Sequence, residues 1–113
     1  MSGGIIMQKK GKIVNIGSSK LDEIIEENNC VIIDLRDEEE YKESHIKGAK
    51  NIPYIVFEKQ KDVMEIDKKI VLYCDSGGTS IYCAKLLAIR GMTVYNLLKG
   101  IENYKGKYFN KAR

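Results

Sequence analysis

One stretch of the chain has the residue types of a nucleophile site: "VLYCDSGGTS", in which Cys74 follows an apolar tract and precedes Asp75, Ser76, Gly77, Gly78, Thr79 and Ser80. Cysteine reacts as its thiolate, and a thiolate is favoured beside unpaired backbone N–H groups and the positive end of a helix. If the apolar tract is a strand and a helix opens near Ser80, Cys74 stands at a strand's carboxyl end beside a helix start, where amides are free. Gly77 and Gly78 carry no side chain that would keep backbone N–H groups from turning inward. The loop from Asp75 to Ser80 is therefore expected to cradle an anion around the sulfur. The alternative is a packed interior thiol followed by an ordinary turn, because cysteine is common in cores.

Other chemistry-bearing residues are sparse. Cys30 opens an apolar run and Cys83 sits in an apolar helical stretch, so both are expected to be inert. His45 is the only histidine and no second thiol lies near Cys74 in sequence, so no metal site is expected. The Gly-Lys-Ser/Thr ending of a phosphate-binding loop is absent. Three cysteines without zinc-like spacing do not form a disulfide scaffold, and a reducing cytoplasm is the expected setting.

The elements that would position Cys74 can be read from the patterning. Ile13-Val14-Asn15-Ile16 is a short strand, and Gly17-Ser18-Ser19 a turn whose serines are expected to cap the helix that follows. Leu21, Ile24 and Ile25 give that helix its apolar stripe, and Asn28-Asn29 its stop. The run from Cys30 to Leu35 is apolar without alternation, as in a parallel strand buried on both faces. Asp37 and Glu40 have the spacing of a capping pair for a short helix ending near Ser44. A loop follows through His45 to Ala49, then an extended Asn51-Ile52-Pro53 and a weak helical stretch from Tyr54 to Val63. Lys69 to Tyr73 is a second central strand. Ser80 to Arg90 reads as a helix burying Ile81, Ala84, Leu87 and Ala88, with Gly91 as its stop; Thr93 to Leu97 is a last strand, and Gly100 begins a short terminal element. Alternating strands and helices predict an α/β domain with a largely parallel sheet, whose ligands sit at the carboxyl ends of the strands.

With 113 residues, 43% of them hydrophobic and 31% charged, the chain is expected to form one globular domain over residues 13–113 behind a flexible leader of residues 1–12. The net charge of +3, from 19 basic and 16 acidic residues, is too balanced for a nucleic-acid binder. No apolar run approaches the roughly 20 residues that cross a bilayer.

Three blocks in order make the chain resemble the rhodanese domain family over residues 13–104. "VIIDLRDEEEYKESHIKGAKNIP" is similar to the family's first signature, "IVLYCDSGGTS" to its active-site block Cys-x-x-Gly-x-x-Ser, and "CAKLLAIRGMTVYNLLKG" to the helix, glycine, strand and glycine that follow. The resemblance implies a five-stranded parallel sheet flanked by helices on both faces. It also implies a catalytic Cys74 that carries sulfane sulfur as a persulfide, held by amides from Asp75 to Ser80, with no cofactor or metal. The implied partners are a small-molecule sulfur donor and a thiol, cyanide or protein-cysteine acceptor, and the chain is expected to be a monomer. Asp34, Arg36, Glu40 and His45 are expected to be scaffold, with Arg36 pairing Glu40 and His45 bonding backbone.

The chain departs from the family where arginine or lysine often binds thiosulfate; the corresponding places hold Asp75, Ser76 and Thr79, so thiosulfate is expected to be a poor donor. Lys99-Gly100 stands where Gly-Gly is usual, and Tyr104 where tryptophan is frequent. Two other functions are open to the resemblance. A phosphatase or arsenate reductase would need a loop one residue longer ending in arginine, whereas Ser80 fills that region and no arginine follows until Arg90. A non-catalytic binding module would generally lack the cysteine that is present here.

Overall fold

The computed structural model describes residues 11–61 and 66–111. Seven strands and four helices follow one another along them: β1 (Ile13–Ile16), α1 (Ser18–Glu27), β2 (Cys30–Asp34), α2 (Glu38–Glu43), β3 (Ser44–Ile46), β4 (Lys50–Asn51), α3 (Tyr54–Gln60), β5 (Lys69–Tyr73), α4 (Gly78–Ile89), β6 (Val94–Leu97) and β7 (Phe109–Lys111), with a 3₁₀ turn at Ile101–Asn103. Five strands form one all-parallel sheet in the order β1-β6-β5-β2-β4. The remaining two, β3 and β7, pair antiparallel at one side.

The apolar run of β5 shows why the sheet is buried on both faces. Side chains alternate across a strand, so Val71 and Tyr73 enter one core with Leu21, Ile24, Leu97 and Ile101, while Ile70, Leu72 and Cys74 enter the other with Phe57, Cys83, Ala84 and Leu87. α1 covers the first face, and α3 and α4 the second. The continuous apolar reading of β2 and β5 thus meets two cores at once.

Several local expectations change. α1 is preceded by Gly17 and has no side-chain cap; Ser18 already lies in the first turn, and its Oγ accepts from the Lys105 N–H at 2.8 Å instead. Asn28 does end α1, in the left-handed conformation (φ 57°), with its N–H on the Ile25 carbonyl. Asp37 precedes α2 and makes no cap through its own side chain, but the other half of the expected pair is present: the Glu40 carboxylate accepts from the Asp37 backbone N–H. The expected loop from His45 begins as β3, paired with β7. α3 ends at Gln60 and Val63 lies outside the described residues, as does most of the expected N-terminal leader.

Candidate active site

Cys74 immediately follows β5 and is 5% exposed. Two backbone donors converge on its sulfur: the Gly77 N–H at 3.2 Å and the Ser80 N–H at 3.3 Å. Gly77 makes this possible with φ 108°, and a β-carbon there would also lie 3.2 Å from the Lys99 nitrogen. Its carbonyl then accepts from the Ile81 N–H, so α4 starts at Gly78, two residues before the expected Ser80. The helix buries Ser80, Cys83, Ala84 and Leu87, a face shifted from the expected one, with Ile81 and Ala88 only half-buried. Gly78 has open space where a side chain would go, so the inward turn rests on Gly77 alone.

The loop is fixed from behind. The Cys74 carbonyl accepts from the Ile101 N–H and the Asp75 carbonyl from the Glu102 N–H, at 3.0 and 3.1 Å. Gly100 allows that approach: at φ 67° its missing β-carbon would fall 2.2 Å from the Asp75 oxygen. The sequence keeps glycine where contact forbids anything else, whereas Lys99 accepts a left-handed φ of 64°.

A cleft of about 340 Å³ opens onto the sulfur. Its walls come from the Cys74 loop (Asp75, Ser76, Gly78 and Thr79), from the segment after β2 (Leu35, Arg36 and Asp37), from Glu40 on α2 and from Tyr54 on α3. All these segments meet at the carboxyl edge of the parallel strands, the place such a sheet leaves open for ligands. Of the residues expected around the anion, Gly77 and Ser80 donate to sulfur directly, while Asp75, Ser76, Gly78 and Thr79 line the cleft.

Arg36 does not pair with Glu40. Its Nη2 and Nε grip the buried Asp34 carboxylate (2.8 and 3.1 Å), and Nη2 also donates to the Ser44 carbonyl at 2.5 Å. Helix spacing would have brought positions 36 and 40 together, but Arg36 precedes α2 and its guanidinium turns toward the end of β2. Burial works against the Arg36 charge, yet the Asp34 hydrogen bonds outweigh it and raise its affinity for the proton. Asp75 approaches the Arg36 Nε only to 4.0 Å. The Glu40 carboxyl is raised above the ordinary range by burial and then by Asp75. His45 bonds backbone as expected, through Nδ1 to the Tyr41 carbonyl at 2.8 Å, and its ring stacks on Tyr41.

Tyr54 in the cleft wall and the two thiols outside the loop are shifted toward their protonated forms. Tyr54 is pushed up to about 12 by burial and by Glu58, to which its hydroxyl donates. Cys83 is pushed up to about 12 by burial and Cys30 is raised by burial and Glu27, in keeping with inert thiols. No group of three or more acidic, histidine or cysteine side chains that could hold a metal ion occurs among the described residues. None of their helices is long and apolar enough to cross a membrane.

One pair of site residues escaped the sequence reading. Ser80 Oγ donates to Asn96 Oδ1 at 2.6 Å, and Asn96 Nδ2 donates to Asn15 Oδ1 at 3.0 Å. The available signal was an amide within the apolar strand "VYNL", since a buried polar side chain demands a partner.

A family model described as Rhodanese-like domain matches residues 18–107. The chain is 35% identical over 77 residues to a tRNA sulfurtransferase of Desulfurococcus amylolyticus, covering 68% of this chain and 15% of that protein. It is 29% identical over 87 residues to the thiosulfate sulfurtransferase GlpE of Coxiella burnetii, covering 76% of this chain and 81% of the relative. A crystal structure of a rhodanese-related protein from Thermoplasma volcanium superposes with a TM-score of 0.73 at 24% identity, over 80% of this chain and 89% of that one.

Proposed function

Because the match over residues 18–107 makes this chain a member of the rhodanese-like domain family, we propose that it is a sulfurtransferase that moves sulfane sulfur through a persulfide on Cys74. The observation that carries the reading is the convergence of the Gly77 and Ser80 N–H groups on the Cys74 sulfur, at 3.2 and 3.3 Å, at the mouth of a cleft. Sulfurtransferases among its relatives support the class of reaction.

The reaction is covalent catalysis in two displacements. The Cys74 thiolate attacks the outer sulfur of the donor; the donor's S–S bond breaks and its remaining fragment leaves with the electron pair, as sulfite if the donor is thiosulfate. Cys74 then bears a persulfide whose negative outer sulfur extends into the cleft toward the loop from Asp75 to Ser80. An acceptor thiolate or cyanide attacks that outer sulfur, the bond to Sγ breaks, and the Cys74 thiolate is regenerated. No net oxidation occurs and no cofactor enters. Fixed N–H dipoles stabilise the anion at both ends of the cycle, as in an oxyanion hole.

Peptide mass spectrometry after exposure to organic persulfide, polysulfide or thiosulfate should show a gain of about 32 mass units, one sulfur atom, on Cys74. Cys74→Ala should fold normally and lose sulfur transfer to a thiol or cyanide acceptor. An unmodified Cys74 under every donor, or activity retained in Cys74→Ala, would refute the reading.

A further inference from the structure

We propose that Asn15, Asn96 and Ser80 form a hydrogen-bond chain of reversible polarity that serves the Cys74 sulfur in both its protonated and its anionic forms. The inference rests on Cys74 being the reactive thiol and concerns three residues on other elements, which act as positioning groups.

The chain crosses the sheet. Asn15 on β1 is opposite Asn96 on β6 in the parallel register, and β6 lies between β1 and β5. Asn96 is 1% exposed, Ser80 is fully buried and Asn15 is exposed. In the polarity observed, the Cys74 S–H donates to Ser80 Oγ (3.5 Å), the Ser80 hydroxyl to Asn96 Oδ1 (2.6 Å), and Asn96 Nδ2 to Asn15 Oδ1 (3.0 Å).

A hydroxyl has one proton. While Ser80 gives it to Asn96, or to the Gly77 carbonyl at 3.3 Å, it offers the sulfur only lone pairs. That suits a thiol and opposes a thiolate. A carboxamide carries its acceptor and its donors at nearly equivalent positions, so half a turn of each amide restores every bond in the opposite sense. Asn15 Nδ2 then donates to Asn96 Oδ1, Asn96 Nδ2 to Ser80 Oγ, and the Ser80 hydroxyl to the sulfur as a third donor beside Gly77 and Ser80 N–H. Ser80 and the two amides keep their own protons throughout; the thiol proton leaves Cys74 for solvent in the cleft. The open end at Asn15 permits the turn, because solvent bonds its amide in either orientation.

A carboxylate at position 15 can only accept, so it locks the observed polarity. The charged and titratable groups that face Cys74 lie elsewhere: Asp75 in the loop, Arg36 and Asp37 after β2, Glu40 on α2, Tyr54 on α3 and Cys83 on α4. None of them changes in the test. The full-length protein is alkylated with iodoacetamide across a range of pH, and the rate at Cys74 is read by peptide mass in wild type, Asn15→Asp, Ser80→Ala and the double variant. Asn15→Asp should move the pH midpoint of alkylation up by about one unit, a roughly tenfold loss of reactive thiolate below the midpoint. In the Ser80→Ala background, where the chain is cut, it should move nothing. The shift should also persist in about 1 M salt, which screens an exposed charge. An equal shift in both backgrounds, a shift abolished by salt, or no shift at all would overturn the proposal. Since alkylation needs no sulfur donor, these outcomes are independent of whether sulfur transfer is observed.

Discussion

Lys99 and Gly100 show how single positions divide the work at this site. Gly100 is irreplaceable because a side chain would enter the Asp75 backbone, while Lys99 holds a left-handed φ of 64° with its side chain exposed. A left-handed lysine is strained, and glycine relieves that strain at some cost in unfolded-state entropy. Lys99→Gly should therefore stabilise the fold by about 0.5 kcal/mol, read as a higher urea midpoint with an unchanged slope. Cys74 itself was legible from sequence because the strand, the glycine-rich turn and the helix adjoin it directly. Asn96 was not, since its meaning depends on Ser80 and on Asn15, which is 81 residues away in the chain and opposite it in space.

At the scale of elements, the segment after the 3₁₀ turn is tied to α1 by several hydrogen bonds, with the Tyr104 hydroxyl and Asp22 at their centre. The Tyr104 hydroxyl donates to Asp22 Oδ1 at 2.5 Å and accepts from the Tyr108 N–H at 2.9 Å, while the Lys107 N–H reaches Asp22 Oδ2 at 2.9 Å. Tyr104→Phe removes the partner of one Asp22 carboxylate oxygen and of the Tyr108 backbone donor, and should destabilise by about 1–3 kcal/mol in urea denaturation with little loss of sulfur transfer. Those bonds hold the approach to β7, the element that the sequence hid. β2 and β5 announce themselves as unbroken apolar runs. β3 and β7 have three residues each and, apart from the buried Ile46, present Ser44, His45, Phe109, Asn110 and Lys111 half-buried or exposed. Their pairing spans more than sixty positions, which no local periodicity can reveal. The same locality misled the assignment of Arg36: Glu40 lay at helical spacing, but the bond is to Asp34, whose carboxylate the end of β2 buries.

Across the whole molecule, charge is distributed against the sign of the total. The chain carries a net charge of +3, yet Asp37, Glu40 and Asp75 line the cleft and its one cation, Arg36, is occupied by Asp34. A field of that sign lowers the local concentration of dianions. Thiosulfate should therefore be used less efficiently than neutral sulfane-sulfur compounds, and Asp75→Arg should raise kcat/KM for thiosulfate about tenfold. Steady-state kinetics at low and high salt check this; efficient thiosulfate turnover by wild type would contradict it. The sheet order has a further consequence, in time. β6 must insert between β1 and β5, and the 3₁₀ turn behind it supplies the N–H groups that pin the Cys74 and Asp75 carbonyls. During synthesis on the ribosome the cysteine emerges well before these supports, so the nascent chain exposes a thiol with no finished cradle. Only when residues 94–103 have cleared the exit tunnel can the loop around Cys74 take its final form, so on the proposed function reactivity arrives together with the completed fold.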